Sequence, residues 1–288
     1  MNIGQALRQK KNTLSFEVFP PKAGTDVEPI RSAVSEIALL RPDFMSVTYG
    51  AGGGNSKNTL DIAKDVQAQG VTALAHLTCI GATRQTIKER LDAFKEAGIE
   101  NVLALRGDIP KDAASFVPGD FKYASELVQE ICRYGGFSVG AACYPEGHTE
   151  SSSRMQDLEN LKIKVDRGCS FLTTQMFFDN SALYSFLYRM GEKNIDVPVV
   201  AGVMPVTNGK QISRICELSG TSLPQRFRMI VDKYGDNPLA MKQAGIAYAT
   251  EQIIDLFANG VKAVHVYTMN KPDVAKAILS NVSEIIQG

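Results

Sequence analysis

Thr13-Leu14-Ser15-Phe16-Glu17-Val18-Phe19-Pro20-Pro21 is a short apolar run that carries one carboxylate and stops at two prolines. Aromatic and β-branched residues fill it and the prolines end it, so it reads as a buried strand. An ionised carboxylate on such a strand is costly to desolvate without a partner or a task. Glu17 therefore has two readings. It is either half of a salt bridge to Lys or Arg across the core, or a general acid whose pKa is raised by apolar surroundings.

Working outward, runs of the same kind recur at 43–49, 71–78, 101–106, 137–143, 170–176, 197–203 and 261–267, making eight with the first. Between them the apolar spacing is helical: Val27, Ile30, Val34 and Ile37 share a face, as do Ile87, Leu91 and Phe94. Ala124, Leu127, Val128 and Ile131 repeat the pattern, and Val274, Ile278, Val282 and Ile285 close the chain with it. The stretch 209–258 is longer than one helix, and Pro224 and Gly235 divide it into three helical pieces.

Eight strands alternating with helices predict a (β/α)8 TIM barrel or a doubly wound sheet. The strand ends separate the two. Polar or unusual residues sit at every C-terminal end: Glu17, Thr48-Tyr49-Gly50, His76-Leu77-Thr78, Arg106-Gly107-Asp108, Tyr144-Pro145-Glu146, Gln175, Met204-Pro205 and Tyr267-Thr268. A barrel brings all of these ends to one mouth. An open sheet would join only those beside its switch point. The expectation is an α/β chain forming one TIM barrel over residues 1–288.

Bulk properties narrow the function class. Lys plus Arg and Asp plus Glu both number 31, so net charge gives no pull toward nucleic acid or anionic lipid. No window resembles a membrane span, and the start lacks the basic and apolar regions of a secretory signal. Cys79, Cys132, Cys143, Cys169 and Cys216 are dispersed, which suggests reduced thiols in a cytoplasmic protein. His76, His148 and His265 lie far apart, with no metal-ligand spacing.

Three segments carry candidate chemistry. Gly50-Ala51-Gly52-Gly53-Gly54-Asn55 invites a dinucleotide-fingerprint reading but has Asn55 at the third glycine position. It is better read as a barrel loop whose backbone can approach a ligand closely near Tyr49 and Ala51. Arg106-Gly107-Asp108 ends an apolar strand with a cation and an anion, giving either a simple ion pair or an anion site with a hydrogen-bond acceptor beside it. Asp157, Asn160 and Lys164 share one helical face, which by spacing alone is a solvated face. His148 can be an ordinary loop histidine. Gln175 is an amide on an apolar strand and needs partners, which a heterocycle with paired donors and acceptors would supply.

With these residues in place, the chain resembles the catalytic barrel of the methylenetetrahydrofolate reductase family, of bacterial type without a regulatory domain. The motifs are Ser15-Phe16-Glu17-Val18-Phe19-Pro20-Pro21, Ser46-Val47-Thr48-Tyr49-Gly50-Ala51, His76-Leu77-Thr78-Cys79, Ala104-Leu105-Arg106-Gly107-Asp108, Tyr144-Pro145-Glu146-Gly147-His148 and Thr174-Gln175-Met176-Phe177-Phe178. Met204-Pro205-Val206-Thr207-Asn208 and His265-Val266-Tyr267-Thr268-Met269-Asn270 complete the set. The resemblance implies FAD at the mouth, NADH or NADPH as donor, and reduction of 5,10-methylenetetrahydrofolate to 5-methyltetrahydrofolate in methionine-directed one-carbon metabolism. It gives Glu17 the role of general acid and places Asp108 beside pterin and flavin. It gives Gln175 and Lys271 to the folate. Thr48, Tyr49, Ala51, His76, Arg106, Gly107, Asp108, Ala124, Tyr144, His148, Asp157, Asn160 and Lys164 match cofactor-contacting positions.

The chain departs from the family pattern in three places. Gly209 stands where NADH-using bacterial members place a phenylalanine against the nicotinamide. Ile163 replaces an arginine on the cofactor helix, and Lys271 replaces another beside the folate. Gly209 leaves open a homo-oligomer that uses pyridine nucleotide directly, or a flavin-carrying subunit fed by a partner protein. A pterin-binding one-carbon transferase without redox chemistry is the remaining alternative.

Overall fold

In the computed structural model, residues 1–21, 24–49, 56–109 and 117–287 are described. Eight parallel strands close into a barrel in chain order. They are β1 Thr13–Val18, β2 Met45–Val47, β3 Ala73–Thr78, β4 Asn101–Leu105, β5 Ser138–Cys143, β6 Phe171–Thr174, β7 Val199–Val203 and β8 Ala263–Tyr267. Each lies within a run expected from the sequence. The helices are α1 Ile3–Gln9, α2 Glu28–Ala38, α3 Ser56–Ala68, α4 Arg84–Glu96, α5 Ala124–Tyr134, α6 Arg154–Asp166, α7 Asn180–Glu192, α8 Ile212–Ser219, α9 Gln225–Tyr234, α10 Pro238–Ala258 and α11 Pro272–Gln287. The stretch after β7 forms three helices, α8 to α10, broken at Pro224 and Gly235 as expected. Thr83, Ser153, Asp179 and Asn237 cap α4, α6, α7 and α10 by accepting from first-turn N–H groups.

The ring is sealed between its first and last strands. In that seam Ser15 lies opposite His265 and Glu17 opposite Tyr267, and on the other flank of β1 Glu17 lies opposite Ser46. Alternation along the strand sends Leu14, Phe16 and Val18 outward to the layer under the helices, and Ser15 and Glu17 inward. On β7, Gly202 is demanded by packing, because a Cβ there would come within 2.6 Å of the Tyr267 hydroxyl. That hydroxyl crosses the ring to donate to the Thr174 carbonyl at 2.6 Å.

The sequence pattern did not mark α1, which stoppers the N-terminal end of the barrel. Ile3 and Leu7 are buried against Phe44, Leu74, Leu103, Phe171 and Val200. Two of its first-turn N–H groups are satisfied by the barrel itself: Ile3 N donates to Asn101 Oδ1 at 2.8 Å and Gly4 N to Ser138 Oγ at 3.1 Å. Seven residues are too few for a stable helix alone, so α1 depends on this docking. Leu7→Ala, which opens a cavity in the stopper, is expected to lower unfolding stability by about 2–5 kcal/mol in urea titration, and an unchanged midpoint would show that α1 is not part of the core.

Candidate active site

Two cavities adjoin at the C-terminal end of the barrel and share Leu105, Ala142 and Tyr144 in their walls. One, of about 480 Å³, lies between the ends of β4 and β5 and helices α5 and α6. The other, of about 350 Å³, lies over the barrel axis and is lined by Glu17, Thr48, His76, Thr173, Gln175, Tyr267 and others.

Over the axis, no lysine or arginine among the described residues pairs with Glu17, contrary to the salt-bridge reading of the strand. Its Oε2 accepts from Ser46 Oγ at 3.3 Å and lies 3.7 Å from His76 Nε2 and 3.9 Å from His265 Nε2. Burial drives the His76 pKa down to about 4, outweighing the opposite push of Glu17. His76 is therefore neutral near pH 7 and does not form an ion pair with Glu17. Among the described residues its Nε2 has no hydrogen-bond partner, and neither does the buried Thr173 Oγ1 in the same cavity wall. Two unsatisfied polar atoms facing one cavity are costly unless a ligand completes them. Gln175 turns its Oε1 back to its neighbour's N–H, accepting from Met176 N at 2.9 Å, which leaves its amide nitrogen for a ligand.

The larger cavity is cationic on one side. Arg106 forks onto Glu150, with both N–H···O distances at 2.5 Å. Its ion-pair partner is thus Glu150 and not the neighbouring Asp108, because the turn at Gly107 carries Asp108 outward to solvent. This fork raises the guanidinium pKa and lowers that of Glu150. Asp157, Asn160 and Lys164 line the same space, so the face that spacing alone called solvated is a cavity wall. Lys164 Nζ donates to the Ala142 carbonyl at 2.7 Å, and burial lowers its pKa. Tyr144 meets His148 edge to face at 4.5 Å, and burial pushes its phenol up to about 12. His148 Nδ1 accepts from Glu150 N, so its neutral ring carries the proton on Nε2.

Of the residues singled out in the sequence, Arg106, Ala124, Tyr144, His148, Asp157, Asn160 and Lys164 meet at the first cavity, and Glu17, Thr48, His76, Tyr144 and Gln175 at the second. Tyr49, Gly107, Asp108 and Lys271 line neither. Tyr49 packs under Arg90, and Lys271 donates to Thr207 Oγ1 at 2.6 Å. Ala51 falls outside the described residues. Sequence reading missed Arg167, one helical turn beyond the Ile163 that replaces an arginine. It lines the first cavity and donates to Ser125 Oγ in the first turn of α5 at 2.8 Å. It also missed Ser46 and His265. At Gly209 a Cβ would come within 2.6 Å of Gly235 Cα, so backbone packing against the α9–α10 junction fills the space of any larger residue.

These donors fit a ligand that combines phosphates with a heteroaromatic ring. Arg106, Lys164, Arg167 and the N-terminal turn of α5 offer positive charge and N–H groups. His76 and Thr173 offer unsatisfied polar atoms over the axis. FAD has this composition.

The family model described as Methylenetetrahydrofolate reductase matches residues 2–283. The chain is 35% identical over 279 residues to the 5,10-methylenetetrahydrofolate reductase of Pectobacterium carotovorum subsp. carotovorum, covering 96% of this chain and 92% of that protein. It is also 35% identical to Methylenetetrahydrofolate reductase (NADH) 1 of Zea mays, spanning 98% of this chain and half the length of the maize protein. A Clostridium thermocellum protein, solved with two copies of 5-methyl-5,6,7,8-tetrahydrofolic acid, has the same fold, with a TM-score of 0.68 at 14% identity and coverage of 100% of this chain and 99% of its own. The chain belongs to the methylenetetrahydrofolate reductase family, and it is an oxidoreductase.

Buried neutral His76 has a consequence for stability. Unfolding returns its pKa to the ordinary 6.5, so below that pH the unfolded chain binds a proton that the folded chain refuses down to about 4. Stability at this group is present above pH 6.5 and is lost as pH falls toward 4, by about 3 kcal/mol. His76→Gln is expected to flatten this part of the pH dependence in urea unfolding, and an unchanged slope would assign it to other groups.

Proposed function

We propose that the chain reduces 5,10-methylenetetrahydrofolate to 5-methyltetrahydrofolate with FAD as cofactor and NADH or NADPH as donor. The observation that carries this reading is the pair of adjoining cavities, one with Arg106, Lys164 and Arg167 in its wall, the other holding a single carboxylate over the barrel axis. FAD, when bound, supplies the hydride chemistry. Arg106, Lys164 and Arg167 would hold its phosphates, and His76 and Thr173 would meet its ring. Arg106 would exchange Glu150 for a phosphate of the bound cofactor, because both anions compete for the same fork.

Glu17 supplies the proton. Methylenetetrahydrofolate becomes electrophilic when a bridging nitrogen is protonated and the five-membered ring opens to an iminium. Glu17 faces the cavity where the pterin would lie, with Gln175 on the opposite wall to orient the ring by its amide. Asp108 stands at the rim, and Lys271 would meet the folate carboxylates as a point charge.

A second reading has a partner protein supplying the electrons. It is favoured by Gly209, whose close contact with Gly235 denies the loop an aromatic clamp for nicotinamide. Anaerobic bleaching of the flavin by NADH, NADPH or reduced ferredoxin separates the two, and a purified chain that holds no flavin under any condition overturns both.

Two variants test the residue roles. Glu17→Gln should leave flavin bleaching by the donor unchanged while reoxidation by methylenetetrahydrofolate falls by about 10²–10⁴-fold, the span of general-acid catalysis. Equal loss in both half-reactions would make Glu17 structural. Arg167→Ala should weaken FAD binding by roughly tenfold or more in a fluorescence titration, the loss of one charge-assisted hydrogen bond, and unaltered affinity would remove Arg167 from the phosphate site.

A further inference from the structure

Behind Glu17, on the side away from the cavity, three more side chains continue its hydrogen bond into the barrel. Ser46 Oγ is 3.3 Å from Glu17 Oε2 and 2.9 Å from His265 Nε2. His265 Nδ1 is 2.7 Å from Ser15 Oγ, whose hydroxyl lies 3.2 Å from the Val264 carbonyl oxygen. His265 is 1% exposed, is stacked on Phe44 at 5.7 Å, and takes no part in the cavity wall. Its Nε2 is 3.9 Å from the Glu17 carboxylate, too far for a direct hydrogen bond, so Ser46 is the bridge.

Counting hydrogens along this chain fixes its direction. A carbonyl can only accept, so a Ser15 hydroxyl bonded to Val264 leaves Ser15 Oγ accepting from His265 Nδ1–H. Two arrangements then satisfy every group with the same number of protons. In one, Glu17 is a carboxylic acid donating to Ser46, and Ser46 donates to the bare Nε2 of a neutral ring. In the other, His265 is an imidazolium whose Nε2–H donates to Ser46, and Ser46 donates to the Glu17 carboxylate. They differ by one concerted shift: Nε2–H passes to Ser46 Oγ while the Ser46 hydroxyl proton passes to Glu17 Oε2. No electrons move, and the total charge of the group is unchanged.

Resting on the reading of Glu17 as the acid, we infer that His265 is its proton reserve, sharing one proton with Glu17 through Ser46 and handing it forward as the folate nitrogen takes it. His265 and Ser46 are positioning residues, because neither meets the substrate. After delivery, Glu17 is a carboxylate beside a neutral His265, and the pair regains its proton from solvent at the cavity, where the Glu17 side chain is 20% exposed. The other titratable groups facing His265 are His76 from β3, which burial keeps neutral, and Tyr267 from its own strand, edge-on at 5.5 Å, whose phenol burial raises well above its usual range. Neither contributes a competing proton near neutral pH.

The test is the pH profile of single-turnover reoxidation of the reduced holoenzyme by methylenetetrahydrofolate. His265→Gln removes the reserve, so reoxidation at alkaline pH is expected to slow by roughly tenfold while the rate at acid pH is kept. Ser46→Ala keeps His265 but removes the bridge, so the same alkaline slowing of about tenfold is expected. Flavin bleaching by the donor is unchanged in both. An alkaline rate unchanged in either variant overturns the inference. Should His265→Gln fail to retain flavin, Ser46→Ala alone decides. If Glu17→Gln leaves reoxidation intact, the functional reading falls instead.

Discussion

The seam between β1 and β8 is the constraint on which the rest of this molecule depends. A parallel sheet of eight strands has two edges, and only closure removes them. The register of that closure matters as much as closure itself. In that register Ser15 lies opposite His265 and Glu17 opposite Tyr267, so polar residues of the two strands face one another inside the ring. A slip by one residue would turn Leu14, Phe16 and Val18 into the barrel and Glu17 out among the helices. Burial of those three apolar side chains in the layer under the helices therefore also aims the carboxylate.

The barrel interior is layered as a result. At its N-terminal end, α1 and the large side chains of Phe44, Leu74, Leu103 and Phe171 form a dry stopper. Above it lies a narrow polar layer of Ser15, Ser46, His76 and His265, buried to within a few per cent. The two cavities open above that. A buried polar layer is tolerable only when its members bond one another, and three of these four do so. His76 is the exception. It keeps an unsatisfied nitrogen facing the cavity, the kind of local cost that a ligand site carries.

Most of this fold was legible because a strand buried on both faces reads as a continuous apolar run, and eight such runs ending in polar residues imply a common mouth. Residues that act at a strand end were legible for the same reason, as Glu17, His76, Arg106 and Gln175 illustrate. Ser46 and His265 were not, since a serine or histidine inside an apolar run looks like a tolerated passenger, and only the closed register makes them neighbours across 219 positions. The α1 stopper was hidden because just Ile3 and Leu7 of its residues carry its packing. One of the two readings of Arg106 pairs it with the nearest anion in sequence, whereas Gly107, at φ 88°, turns the chain so that Glu150 is nearer in space. Arg167 escaped notice because it stands at the C-terminal cap of α6, beyond the face that spacing marked, yet lines the same cavity.

The manner in which Glu17 is held bears directly on its proposed use as an acid. A lysine or arginine partner would lock the carboxylate in its charged form and leave it nothing to give. A wholly apolar pocket would keep it protonated but strand the charge once the proton left. This site does neither. A hydroxyl that can donate or accept stands next to the carboxylate, a ring that can gain or lose a proton stands behind the hydroxyl, and the neutral His76 stands beside them. Each protonation state of Glu17 thus finds a complementary partner without any side chain moving, which is the preorganisation that proton delivery requires.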